Sequence, residues 1–411
     1  MEGNAGARGR AAAWGVVAAA TAILAIHMGS RSVFGLFVSP LNSSTGLGIA
    51  LISFAVAVSQ LTWGAAQPLC GMLAERYGAA RVIVGGSLLA AAAGALLPLV
   101  HSAAALITVL AVMGVAATVG SPSFLIGTAS QRVAPARRGL VAGIIGAGGP
   151  LGQLVLAPLT QATIAVAGWM SAALALAALA LAALPLALVF RRMPGAGAVA
   201  REAVPLREAL RSPWYWTLNA TFFVCGLHVF FLITHLPGVI ELCGLPGSVS
   251  GLALAVLGLA NMAGSVAAGL AVQRCSMTGM LASLYALRAA GIALFLAAPK
   301  TEAAVLAFSA WMGLTYMAVL PPTAGLIGQR YGVQRLPTLL GITFLLHQAG
   351  AFLGAWLGGV LLEATGSFDA MWTIDLGLAA AAAAVSLALG AAASARRRGA
   401  FAPALRPRPA P

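Results

Sequence analysis

Arg31 stands inside an apolar run that reaches from residue 14 to residue 41, and residues 14–190 contain no Asp or Glu except Glu75 at a loop edge. A guanidinium presents its N–H donors as a rigid fork that fits a carboxylate. Lacking an acid in its own half, Arg31 either offers that fork to an external anion or reaches outward along its stem and bonds helix carbonyls. His27 precedes it by four residues, on the same helical face. Four of the five histidines, His27, His228, His235 and His347, fall within apolar runs. There an imidazole can carry a proton near neutrality or sit neutral against a carbonyl of a neighbouring helix. His235 follows His228 by seven residues on nearly the same face. Asn261 and Ser265 are spaced i, i+4, and His347 and Gln348 are adjacent. Either pair could bond a carboxylate or hold two helices together. Arg288 is a second cation inside an apolar run, with Asp375 as a candidate partner.

No nucleophile–base set accompanies these groups, so an enzyme is not expected. Cys70, Cys225, Cys243 and Cys275 each lie in or at the end of an apolar run, without paired spacing. That pattern gives neither a disulfide framework nor a metal site, and no cofactor is expected. The phosphate-binding pattern G-x-x-x-x-G-K-[ST] is absent, which argues against drive by ATP.

The elements that must position these side chains follow from composition. The chain has 411 residues, 61% hydrophobic and 8% charged, with a mean hydropathy of +0.97. A soluble domain carries about 25% charged residues, so most of this surface cannot face water. A membrane-spanning helix needs about 20 apolar residues. Apolar runs fall at 14–41, 49–74, 82–100, 103–130, 139–164 and 168–190, then at 213–240, 248–272, 279–298, 302–328, 337–362 and 370–392. The expected organisation is an N-terminal tail (1–13), a six-helix bundle (14–190), a linker (191–212), a second six-helix bundle (213–392) and a disordered tail (393–411). The first run is longer than the core of a signal peptide and is read as an uncleaved helix. PLREALR (205–211) in the linker has the look of a short interfacial helix facing anionic lipid.

Charge tests this count. There are 23 Lys and Arg against 9 Asp and Glu. With the N-terminus inside, every Lys and Arg except Lys300, Arg31 and Arg288 falls on the inner side or in a tail, while Glu241, Glu302, Glu363 and Asp369 fall outside. That is the positive-inside pattern, with both termini cytoplasmic. The cations lie between membrane runs, so lipid rather than nucleic acid is the expected partner.

The two halves echo one another. Gly71 and Arg76 at the exit of the second run recur as Gly269 and Arg274 at the exit of the eighth, and Phe34 and Pro40 recur as Phe231 and Pro237. The same alignment sets His228 opposite Arg31. GMLAERYGAAR (71–81) resembles the inner-loop pattern G-x-L-A-D-R-x-G-R-R-x of the major facilitator superfamily: Gly71, Leu73, Arg76 and Gly78 match, Glu75 takes the Asp place, and Ala79 and Ala80 depart from it, with Arg81 close by. RSVFGLFVSP (31–40), FFVCGLHVFFLITHLP (222–237), ANMAGSVAAG (260–269), LYALRAAG (284–291) and HQAGAFLGAWLGG (347–359) resemble bacterial relatives of the monocarboxylate and oxalate/formate porters. GIIGAGGPLGQ (143–153) is loosely similar to the glycine-rich antiporter motif of the fifth span.

The resemblance implies an all-α major facilitator fold of twelve transmembrane helices in two pseudo-symmetric bundles. It also implies a cavity between the first and seventh spans, outer supports that include the ninth, a monomer, and a place in the cell inner membrane. The eighth-span positions where known carboxylate carriers hold an Asp and an Arg hold Asn261 and Ser265 in this chain. The expected function is secondary transport of a small organic anion, a monocarboxylate first, coupled to a proton or an exchanged anion. Multidrug or metabolite efflux is the alternative. The expected substrate site comprises Arg31, His228, His235, Asn261, His347 and Gln348, and the expected inner gate Gly71, Glu75, Arg76 and Arg81.

Overall fold

A backbone in hydrocarbon must satisfy its own N–H and C=O groups, which leaves helices as the economical solution for so apolar a chain. The computed structural model describes residues 2–130, 138–191, 205–332 and 335–401, and among them the regular elements are helices without a strand. The expected linker between 192 and 204, the basic positions Arg132, Arg137 and Arg201, and the tail from 402 onward lie outside the described residues.

Eleven segments are long and apolar enough to cross a bilayer, and one of them, Leu140–Phe190, has 51 residues. At about 1.5 Å per residue that is roughly twice the hydrocarbon thickness. Gly168, with φ 81° and ψ 164°, interrupts it. A side chain with a Cβ would be strained there, so a fifth and a sixth span meet at this glycine and the total is twelve.

The first span is Glu2–Ser32 followed by Gly35–Thr45, the second Ile49–Tyr77, and the third Ala79–Leu96. The fourth comprises Ala103–Ala116, Ala117–Gly120 and Pro122–Ser130, and the seventh, eighth and ninth are Pro213–Leu242, Gly247–Ala271 and Met277–Ala297. The tenth comprises Glu302–Thr315 and Leu320–Tyr331, the eleventh is Leu336–Thr365 and the twelfth Asp369–Phe401. Both outermost helices overrun the boundaries expected at 13 and 392. Leu206–Arg211 is the expected short linker helix.

In the first half the packed pairs are first with fifth, second with fourth and third with sixth; in the second they are seventh with eleventh, eighth with tenth and ninth with twelfth. The second pattern is the first shifted by six helices, so the structure carries the repeat seen in the sequence. Between halves, the second span packs on the eleventh and the fifth on the eighth. Small residues allow the close pairings. A Cβ on Gly152 would fall on the Ala25 carbonyl of the first span, and one on Gly354 on the Leu227 carbonyl of the seventh.

The two ends of the bundle differ. The acidic end is latched: Ser39 donates to Glu241 at 3.0 Å, and Glu363 accepts the Ala50 amide at 2.8 Å. That amide is one of the unpaired N–H groups at the start of the second span, where an anion is favoured. The basic end is unpacked. Leu69, Met72, Leu73 and Tyr77 are exposed, and nothing lies within 4 Å of where a Cβ would sit on Gly71 or Gly269. Among the described residues the expected packing of the Gly71–Arg81 gate onto the second half is not seen in this conformation. Arg76 lies over its neighbour Tyr77 at 5.3 Å, Arg81 bonds the Tyr77 carbonyl at 3.4 Å, and Glu75 is exposed without an ion pair to a described residue.

Candidate functional site

The first span breaks directly after Arg31. Its helix ends at Ser32 and resumes at Gly35, where a Cβ would collide with the Ile233 carbonyl of the seventh span. The break brings the two helices into contact and leaves a cavity of about 90 Å³ beside Arg31. At roughly 30 Å³ per water in the liquid this is the space of about three waters, well below the 300–1,000 Å³ of pockets for drug-sized ligands. Its walls come mainly from spans one, two, three, four and six; the second half contributes Phe230, Ile233 and Thr234. The cavity is not shared equally between the halves, as the resemblance had implied. The lining includes no Asp or Glu.

Arg31 is held by neutral groups. Its Nη2 donates to Gln60 Oε1, and its guanidinium carbon lies 4.5 Å from the Trp63 ring centroid and 5.7 Å from that of Phe230. Such ring contacts favour the cation without neutralising it. Arg31 Nη1 is buried and has no hydrogen-bond partner, and Trp63 Nε1 is in the same condition. A buried donor left without a partner costs free energy comparable to a lost hydrogen bond. His27 also lines the cavity, with Nε2 3.1 Å from Ser87 Oγ.

The remaining expected residues have other partners. Gln348 donates to the Gln60 carbonyl at 3.2 Å and its Oε1 lies 3.0 Å from His347 Nδ1. Gln348 thus ties to the main chain of Gln60 across the interface between halves, and His347 bonds Gln348 in turn. His347 stands among Phe222, Phe230 and Phe344, with Nε2 unpartnered. His235 donates Nε2–H to the Ala355 carbonyl at 2.7 Å, tying the seventh span to the eleventh. His228 faces Asp375 of the twelfth span and does not line the cavity. The repeat set it opposite Arg31, but a repeat fixes depth in the membrane, and the break that turns Arg31 has no counterpart in the unbroken seventh span.

Asn261 and Arg288 serve a different break. The tenth span is interrupted between Thr315 and Leu320, which frees backbone groups at membrane depth. Arg288 Nη2 donates to the carbonyls of Thr315 and Tyr316, each at 2.5 Å, and Asn261 Oδ1 accepts the Met317 amide at 3.2 Å. Such breaks survive where neighbouring helices supply partners, and a cation suits the C-terminal end of a helix. Ser265 bonds Asn261 at 3.2 Å and so supports the brace.

Gln60, Trp63, Phe230 and Thr234 were not singled out from sequence. Gln60 and Thr234, polar residues within apolar runs, were the available signal. Among the described residues no cluster of three His, Cys, Asp or Glu could hold a metal ion.

A family model described as Major Facilitator Superfamily matches residues 20–298. Among similar proteins, an uncharacterized MFS-type transporter of Bacillus subtilis (strain 168), YcxA, is 26% identical over 364 residues, covering 84% of this chain and 87% of that protein. The oxalate:formate antiporter of Oxalobacter formigenes is 23% identical over 228 residues, 54% of each chain. Monocarboxylate transporter 3 of Rattus norvegicus is 24% identical over 376 residues, 87% of this chain and 75% of that one.

Proposed function

The chain belongs to the major facilitator superfamily, a family of membrane transporters, and we propose that its cargo is a small organic anion, a monocarboxylate, received by Arg31. The observation that carries this reading is Arg31 in the wall of a small cavity that holds no carboxylate, with its buried Nη1 lacking a hydrogen-bond partner. A carboxylate would take a bidentate contact from the guanidinium, with Gln60 fixing the fork and Trp63 and Phe230 flanking it. Gln348 bonds the main chain of Gln60 with His347 beside it; Asn261 and His235 hold helices. The names of the oxalate:formate and monocarboxylate relatives agree in cargo class. The size of the cavity speaks against drug efflux.

In this reading the basic end faces the cytoplasm of the inner membrane, with both termini inside. The latched acidic end and unpacked basic end correspond to one extreme of alternating access. In the other, the Gly71–Arg81 loop closes the basic end against the second half, and Gly71 is then a contact point. Transport is driven by a proton or an exchanged anion.

The test is uptake of radiolabelled formate, lactate and oxalate into vesicles containing the purified protein, against a panel of organic cations. Uptake of at least one acid that unlabelled acids suppress is expected. Uptake of the cations alone would refute the reading.

A further inference from the structure

The seventh span has two working faces. Phe230 and Thr234, four residues apart, wall the cavity. His228, Phe231 and His235 follow the other stripe, where Phe231 packs on Trp372 of the twelfth span at 4.7 Å between ring centroids. On that stripe His228 Nδ1 lies 2.5 Å from Asp375 Oδ1, with each side chain 1% exposed. The contact is short but not aligned as a hydrogen bond, and neither nitrogen of His228 nor either oxygen of Asp375 has a hydrogen-bond partner. Buried ion pairs kept for structure have their remaining atoms bonded; this pair does not.

The groups around it are already engaged. Cys225, on the same helix, contacts the Tyr316 carbonyl at 3.7 Å. From the ninth span, Tyr285 donates to the Thr221 carbonyl at 2.5 Å, and Arg288 holds the tenth-span carbonyls while lying close enough to Asp375 to interact with it. From the tenth comes Tyr316, and from the eleventh His347, whose Nδ1 meets Gln348. His347 keeps Nε2 unpartnered as well, but among the described residues of this cluster the His228–Asp375 pair is where a carboxylate faces an imidazole.

We propose that the His228–Asp375 pair is a proton-binding site, loaded when an organic anion occupies Arg31. The proposal rests on the anion reading of that cavity. The step is the addition of one proton from water to the pair, turning imidazole beside carboxylate into imidazolium beside carboxylate. Charge links the two sites. With neutral histidines, Arg31, Arg288 and Asp375 leave one net positive charge in the described membrane interior. A proton alone raises this to two, a costly state in hydrocarbon, and a bound monoanion returns it to one. The anion therefore favours the proton, and the seventh span, which walls the cavity and carries His228, joins them physically.

The experiment uses vesicles containing the wild type, Asp375→Asn or His228→Gln, with an internal pH dye and radiolabelled lactate, acetate and formate, after subtraction of protein-free vesicles. In the wild type, an inward proton gradient should drive accumulation of label with internal acidification. Both variants should lose that accumulation yet still exchange label for unlabelled acid at equal pH. Gradient-driven accumulation in both variants would overturn the site, as would loss of exchange in both, which would make the pair structural. Wild-type accumulation without acidification would overturn the proton site and leave anion transport standing. If the wild type moves none of the three acids, the anion reading fails and the proton site with it.

Discussion

Arg31 and Arg288 are both guanidinium groups at membrane depth, one in each half of the molecule, and their surroundings differ in kind. Arg288 is 1% exposed, places Nη2 on two backbone carbonyls of a broken helix, and has a carboxylate nearby. Arg31 meets an amide and two rings, has no carboxylate in its cavity wall, and has a buried Nη1 without a hydrogen-bond partner. A cation in hydrocarbon must be compensated somehow. In the second half the protein does this itself; in the first half no carboxylate lines the cavity beside Arg31, and in the proposed function a bound anion takes that place. The lesson is that an intramembrane charge marks a binding site only when its counter-ion is missing and there is room for one.

The comparison can be broken at several points. The largest effect is expected from Arg288→Met. It strips the carbonyls of Thr315 and Tyr316 of their donor and leaves Asp375 without its nearby cation, which should cost about 3–5 kcal/mol of stability. A thermal melt of purified protein should show a large drop or no folded fraction, and an unchanged melt would put Arg288 in the same category as Arg31. Gln60→Glu comes next. It gives Arg31 an internal counter-ion, so a substrate anion must compete with it, and anion affinity should fall by about 10- to 150-fold with the fold retained. Unchanged affinity in a titration would mean that Arg31 is not open to the cavity. Trp63→Leu should have the smallest effect. Losing one cation–π contact is worth about 0.5–2 kcal/mol, roughly 2- to 30-fold in affinity. A larger loss in the same titration would move the principal contact from the guanidinium to the indole.

Twelve helices were legible because loops alternate in charge: Lys300 is the one Lys or Arg on the side of Glu241 and Glu363. The breaks in the first, fourth and tenth spans were not legible. Pro122 and the pair Pro321 and Pro322 restart the fourth and tenth helices, but proline also occurs within unbroken helices, as Pro68 does in the second. Arg31 stood out because a charge in an apolar run is rare. Gln60 and Trp63 were missed because an amide and an indole are not. Asn261 was assigned to the substrate because sequence cannot distinguish an amide that bonds a ligand from one that bonds the backbone of another helix. His228 was set opposite Arg31 for a related reason: the repeat aligned the residues and could not convey that one helix bends there and its partner does not.

The central claim is that Arg31 receives the anion, and it is tested most directly by equilibrium binding of labelled lactate and its neutral amide to purified wild type, Arg31→Lys and Arg31→Gln. The account predicts that Arg31→Gln loses about 10- to 150-fold in affinity for the acid, the worth of one charged hydrogen bond at about 1.5–3 kcal/mol. Arg31→Lys, which keeps the charge without the fork, should fall between, and the amide should be indifferent to all three. Equal affinity for the acid in wild type and Arg31→Gln would contradict it.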